Sequence, residues 1–220
     1  MNAPTVPALL AAMPPDLSDD RRQAFDALLT RYSPWPLDAP APSPSELDLV
    51  FDAALRAPDH GGLRPWRYVV IGSDARNALG DVFVEAARLR GEGDEAERFR
   101  AKAMAAPLII AMAARVRTGH KVPELEQLMS CAAAAMNMLN ALHLLGYGGF
   151  WATGLHSRDL HVHRALGFGG LDHMLGFLYV GTARVGSTAP PRTARQDHVR
   201  QWAGSCTAAP AARATQPVGS

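Results

Sequence analysis

A chain of 220 residues that is 48% hydrophobic and 20% charged is long enough for one compact domain and too apolar for intrinsic disorder. Twenty-two Lys and Arg oppose twenty-one Asp and Glu, so the formal charge is +1 and no whole-molecule field draws the protein to nucleic acid or an anionic membrane. Two cysteines, Cys131 and Cys206, are too few for a disulfide framework or a structural zinc site, and a reducing, cytoplasmic compartment fits them best.

Residues 1–18 read as a flexible leader, and no Lys or Arg precedes its apolar stretch, as a signal peptide requires. A single domain is expected over 19–202. Its first helix spans 19–30, with Phe25, Leu28 and Leu29 at helical spacing and Ser18 or Asp19 as N-cap. Prolines 34, 36, 40, 42 and 44 forbid regular structure, and a helix reopens at Ser45 and Glu46, carrying Leu47, Val50, Phe51 and Leu55 inward until Pro58 closes it. The run WRYVVIG at 66–72 is β-branched and aromatic and predicts a strand. Helical periodicity resumes over 75–89, 91–94 form an exposed loop, and 95–105 form a solvated helix stopped by Pro107. The apolar runs 108–114 and 176–181 predict strands buried on both faces. Between them lie a smaller helix at 157–166 and a long one at 129–147, whose Asn137, Asn140 and His143 argue for a core or interface helix over a membrane span. Residues 203–220 have almost nothing to bury and are expected to be disordered.

No strand leads into a G-x-G-x-x-G turn, and G-x-S-x-G, H-E-x-x-H and Walker A patterns are absent. Three looser constellations remain. Arg31, Tyr32 and Ser33 set a guanidinium fork, a phenol and a hydroxyl on a proline-stiffened turn, suited to a phosphate or to complementing a helix C-terminus. Arg56 stands at a helix end and His60 on a loop loosened by Gly61 and Gly62, a placement suited to ligand binding or to simple capping. Residues 146–154 interleave glycines with Phe150 and Trp151, and read either as backbone amides facing a flat cofactor or as a helix C-cap followed by an edge strand. His156, His161, His163 and His173 lack zinc-like spacing and read as solvated or capping groups, with no metal site.

In order and spacing, these pieces resemble the nitroreductase family of FMN-dependent oxidoreductases, and within it the small YdjA-like NAD(P)H nitroreductases. The resemblance is carried by Arg31-Tyr32-Ser33, RAPDH from Arg56 with Pro65-Trp66, APLII from Ala106, HKVP from His120, Glu126-Gln127 with Met129-Ser130, GYGGFW from Gly146 and GFLYVGT from Gly176. It implies an α+β fold with a mixed central β-sheet flanked by helices, built as a homodimer with FMN at the subunit interface. It further implies that Arg31, Tyr32 and Ser33 meet the FMN phosphate and ribityl side, that Arg56 and His60 come from the other subunit, and that Trp151, Ala152 and Thr153 lie along the flavin. Tyr32 departs from the Arg or His common in relatives, and Arg64 stands where Gln commonly precedes Pro-Trp.

The activity so implied is ping-pong hydride transfer from NAD(P)H through flavin N5 to a small nitroaromatic or quinone acceptor. No side chain is required as a nucleophile, so no catalytic residue is assigned. Two rivals share the same residues: an FMN carrier or redox sensor without efficient turnover, and a flavin-processing or dehalogenating enzyme.

Overall fold

The computed structural model describes residues 6–11, 13–93, 96–191, 193–202 and 204. They fall into two compact units. The described parts of 1–12 and 191–220 form one, in which Val6–Ala11 is a helix (α1), inside the stretch expected to be a leader, and Arg195–Asp197 is a 3-10 turn. Of the tail expected to be disordered, all but Gly204 lies outside the described residues, as does Cys206.

Residues 13–190 form the other unit and hold every candidate site residue. Its elements are α2 (Asp19–Thr30), β1 (Leu37–Asp38), α3 (Pro44–Ala54), β2 (Trp66–Ile71), α4 (Ala75–Leu89), α5 (Glu97–Ala103), β3 (Leu108–Arg115), α6 (Glu124–Leu144), β4 (Gly148–Ala152), α7 (Leu160–Ala165) and β5 (Asp172–Ala183). The sheet runs β1-β5-β3-β2, with β4 also paired to β5. The class is α+β, as the sequence implies, but every described pairing is antiparallel, which corrects the expectation of a mixed sheet. The connections explain this. The excursion through α4 and α5 leaves from Ile71 and returns beside it at Ile109, and the link through α7 leaves near Ala152 and returns near Phe177, so each next strand must run backwards.

Helices cover both faces of the sheet. Alternation along β3 sends Ile109, Ala111 and Ala113 to one face, where they meet Phe83, Val84, Phe99 and Val162 from α4, α5 and α7. Ile110 and Met112 face the other side, against Val50 and Ala54 of α3 and Met138 and Leu142 of α6. Ser43, not Ser45, opens α3: its hydroxyl accepts from Glu46 N, and Glu46 Oε2 accepts from Ser43 N at 2.8 Å, a reciprocal capping box with Pro44 in the first turn. Ser18 occupies the N-cap position of α2 without a side-chain capping bond.

The inward assignment of Leu55 does not hold, and the helical spacing of Phe25 and Leu28 is not matched by burial. Leu55 is exposed, and α2 buries none of its residues, Phe25 and Leu28 being about half exposed. Among the described residues α2 packs on the last turns of α6, which leaves its apolar side about half open. The expected smaller helix divides at Asp159, which ends a 3-10 turn (Leu155–Arg158) and caps α7 by accepting from His161 N at 2.9 Å. The loop expected at 91–94 is described as far as Gly93.

His156, expected to be solvated or capping, is 4% exposed. Its ring stacks on Phe83 at 4.1 Å and meets the edge of Phe99 at 4.9 Å, and neither ring nitrogen has a hydrogen-bond partner. Burial, reinforced by the Lys102 and Arg90 charges, pushes its pKa down to about 4, against the pull of Asp159 and Glu92. The folded protein therefore keeps this ring neutral while the unfolded chain protonates it near 6.5. Stability from this group is complete above pH 6.5 and drains away as the pH falls towards 4, by about 3 kcal/mol. Urea titrations across that window should show the loss in the wild type and not in His156→Phe; equal slopes would remove His156 as its source.

Candidate functional site

Arg31, Tyr32 and Ser33 lie at one end of α6 and Arg56 and His60 at the other, with β4 running between. At the C-terminal end of α6, Arg31 caps α2 and its Nη1 donates to Ser33 Oγ at 3.4 Å. Thr30 Oγ1 donates to the Asp26 carbonyl at 2.7 Å, so it accepts from His143 Nε2, 2.9 Å away on the last turn of α6. Burial, then the Arg31 charge, holds the pKa of His143 below its ordinary value, which leaves Arg31 as the cation of this corner. Tyr32 Oη donates to the Ser187 carbonyl at 3.4 Å, which ties the turn to the segment after β5. Pro34 lies against Gly148, where an added Cβ would stand 2.6 Å from the ring, and Trp35 packs on Phe150 at 4.8 Å and edge-on to Tyr179 at 4.9 Å. These contacts fix Arg31, Tyr32 and Ser33 beside the start of β4.

Trp151 and Ala152 end β4, and Thr153 follows. β4 has β5 as its one described partner, so it is the edge strand of the two readings the sequence left open, and its other edge offers backbone N–H and C=O groups to a ligand. Trp151 Nε1 donates to the Leu175 carbonyl at 2.8 Å. Gly176, at φ +122°, lets the strands close: a Cβ there would lie 2.3 Å from the Ala152 carbonyl oxygen.

Arg56 and His60 sit at the opposite end of α6. Arg56 is exposed just after α3, and His60 Nδ1 donates to Glu126 Oε2 at 2.5 Å in the first turn of α6. Asp59 accepts from Leu63 N at 3.1 Å and Arg64 N at 2.7 Å and so shapes the turn. Buried Gln127 accepts from Arg117 N and donates to the Arg117 and Val122 carbonyls, locking the neighbouring loop, while Val122 packs on Gly61. Sequence reasoning missed these supports; the adjacent Glu126-Gln127 pair was their one visible mark.

Glu126 and His143 stand seventeen residues apart on one helix, which places the two regions about 25 Å from each other at 1.5 Å per residue. One chain sets Arg31, Tyr32 and Ser33 beside the start of β4 and Trp151, Ala152 and Thr153 at its end, and it keeps the Arg31 turn and the His60 turn at opposite ends of α6. The surface between them is apolar. Leu125, Met129, Met136 and Leu144 are 66%, 59%, 40% and 68% exposed along α6, and α2 adds Phe25 and Leu28 beside a groove lined by Ala24, Ala27, Asn140 and Leu144. Among the described residues, no helix is long and apolar enough to cross a membrane and no group of side chains is placed to hold a metal.

An antiparallel sheet covered by helices on both faces defines an α+β fold, and a cation and hydroxyl corner stands beside a strand edge that no other described strand pairs with. Residues 28–182 match the model of the nitroreductase family, and the chain belongs to that family. It is 36% identical over 163 residues, 74% of this chain and 89% of the relative, to the Escherichia coli K12 protein named "Putative NAD(P)H nitroreductase YdjA". A crystal structure of a nitroreductase-like family protein from Bacillus cereus superposes with a TM-score of 0.74 at 16% identity, covering 88% of this chain and all of that one. A variant of the FMN and NADPH-dependent nitroreductase NfnB from Sphigopyxis sp. strain HMH gives 0.67 at 18%, covering 82% and 99%. These two share the fold.

Gly176→Ala is expected to lower unfolding stability by about 3 kcal/mol or more, because φ is unfavourable and the new methyl overlaps the β4 carbonyl. A denaturation midpoint equal to the wild type would show that β4 does not press on this position.

Proposed function

We propose that the protein is an NAD(P)H-dependent FMN oxidoreductase that acts as a homodimer and passes electrons, by ping-pong exchange, to a small nitroaromatic or quinone. The reading is supported by the relative named as an NAD(P)H nitroreductase and the neighbour named as FMN and NADPH-dependent. The single observation that carries it is the split of the site residues across α6, which a second copy facing the exposed α6 stripe makes good.

The residues present fit FMN. Arg31 and Ser33 offer a guanidinium and a hydroxyl to the phosphate, and half-buried Tyr32 walls that corner. The free edge of β4 at Trp151, Ala152 and Thr153 offers backbone donors and acceptors to the polar rim of a flat ring. Arg56 and His60 of the second copy add positive charge and close the site against water, His60 being oriented by Glu126. When bound, FMN supplies the centre that accepts hydride and passes electrons on. We assign the reducing cytoplasm as its compartment, supported by the buried, unpaired Cys131 thiol.

Arg31→Ala is expected to weaken FMN retention by about 1.5–3 kcal/mol, the usual worth of a hydrogen bond to a charged group, with the fold unchanged; undiminished affinity would take Arg31 out of the phosphate corner. Met129→Glu sets a charge in the exposed α6 stripe and should shift light-scattering mass from dimer to monomer and release flavin together. A flavin-loaded monomer would sink the split-site reading. Anaerobic NADPH or NADH should bleach the bound flavin, and steady-state plots at several fixed acceptor concentrations should be parallel. Bleaching by dithionite alone would replace the reductase with a carrier.

A further inference from the structure

Arg64 is the one described residue other than glycine with a positive φ, +50°, and it precedes Pro65. That conformation is unfavourable for a side chain with a Cβ, and a following proline restricts the backbone further. Four hydrogen bonds hold it in place. The Asp59 carboxylate accepts from Leu63 N and Arg64 N, Arg67 Nη1 donates to the Arg64 carbonyl at 3.1 Å, and Arg115 N donates to the Pro65 carbonyl at 2.7 Å. Gly61 and Gly62, at φ +76° and +64°, complete a turn wound to point residue 64 outwards. The Arg64 guanidinium itself is exposed and makes no hydrogen bond or ion pair among the described residues.

The charge balance of the turn follows from the same bonds. Asp59 is spent on backbone N–H groups and Glu126 on His60, so neither carboxylate neutralises Arg56 or Arg64. Two exposed guanidinium groups, Arg56 and Arg64, thus flank a rigid turn at the N-terminal end of α6, next to the exposed Leu125 and Met129. A relaxed residue with the same sterics would suit a turn whose only task was to connect α3 to β2. A strained arginine held by a dedicated carboxylate suits recognition of an anion.

We propose that the turn 59–64 binds a phosphomonoester and that Arg64 is its anion-pairing side chain. The proposal rests on the flavin reading above, which supplies two phosphomonoesters at this dimer edge: the 5′-phosphate of FMN and the 2′-phosphate of NADPH. Riboflavin and NADH lack these groups and separate the two sources.

The test uses the full-length protein with Arg64→Gln, Arg64→Lys and Arg64→Gly. FMN and riboflavin are titrated by flavin fluorescence, and KM is measured for NADPH and NADH. One supporting result is an FMN Kd raised about tenfold in Arg64→Gln with riboflavin unchanged, which assigns the FMN phosphate. The other is an NADPH KM raised about tenfold with NADH and both flavin affinities unchanged, which assigns the dinucleotide. Arg64→Lys should recover part of either loss. Arg64→Gly should repeat it with a melting temperature no lower than the wild type, since glycine accepts the positive φ. The proposal is overturned if Arg64→Gln leaves all four ligands unchanged, if it weakens FMN and riboflavin equally, or if every variant also melts lower than the wild type. A wild type that takes up neither flavin removes the flavin reading and this proposal together; a wild type that binds FMN while Arg64→Gln changes nothing removes only the proposal.

Discussion

The two-sided apolar surface of α6 constrains the rest of the molecule. One side, with Ala134, Ala135, Met138 and Leu142, is fully buried on the sheet and α3, and Asn137 Nδ2 donates to the Ala53 carbonyl to fix the two helices in register. The other side carries Leu125, Met129, Met136 and Leu144 into the open. A helix apolar on both sides wants to be covered on both. The same helix is the ruler of the site, because its ends hold His60 through Glu126 and the Arg31 turn through His143 and Thr30.

Local patterning made most of the scaffold legible. The helix over 75–89 appears with those bounds, the apolar runs at 108–114 and 176–181 lie in strands, and the run from Trp66 forms one that stops at Ile71, because each burial pattern is written in consecutive residues. Spacing alone did not say which apolar face stays uncovered: Phe25, Leu28 and Leu55 sit at helical intervals like any core residues, yet the described residues leave them about half exposed. Strand direction was equally hidden, since it depends on where an excursion re-enters the sheet, as at Ile71 and Ile109. The two-residue β1 escaped notice among prolines because its pairing partner, Thr182 and Ala183, lies far along the chain. The site residues were readable as types and positions. Their separation was not, and neither were the carboxylates that fasten them.

Those carboxylates share a pattern. Asp59, Asp159 and Asp172 each accept backbone N–H groups at a turn, and Asp172 also takes both ends of Arg115 at 2.8 Å, which holds its pKa below the ordinary range. Acidic side chains here act as clamps on loops between helices and strands. Such loops keep a fixed shape with few residues of their own.

The separation of the two halves along α6 has a thermodynamic corollary. In the proposed dimer a small molecule that touches both ends of the helix is bound by a pair of chains, so its occupancy and the association of subunits are linked equilibria: each raises the other by the same factor. Dilution then acts as an antagonist of the ligand, and the ligand as an adhesive for the protein, without any change of shape in either chain.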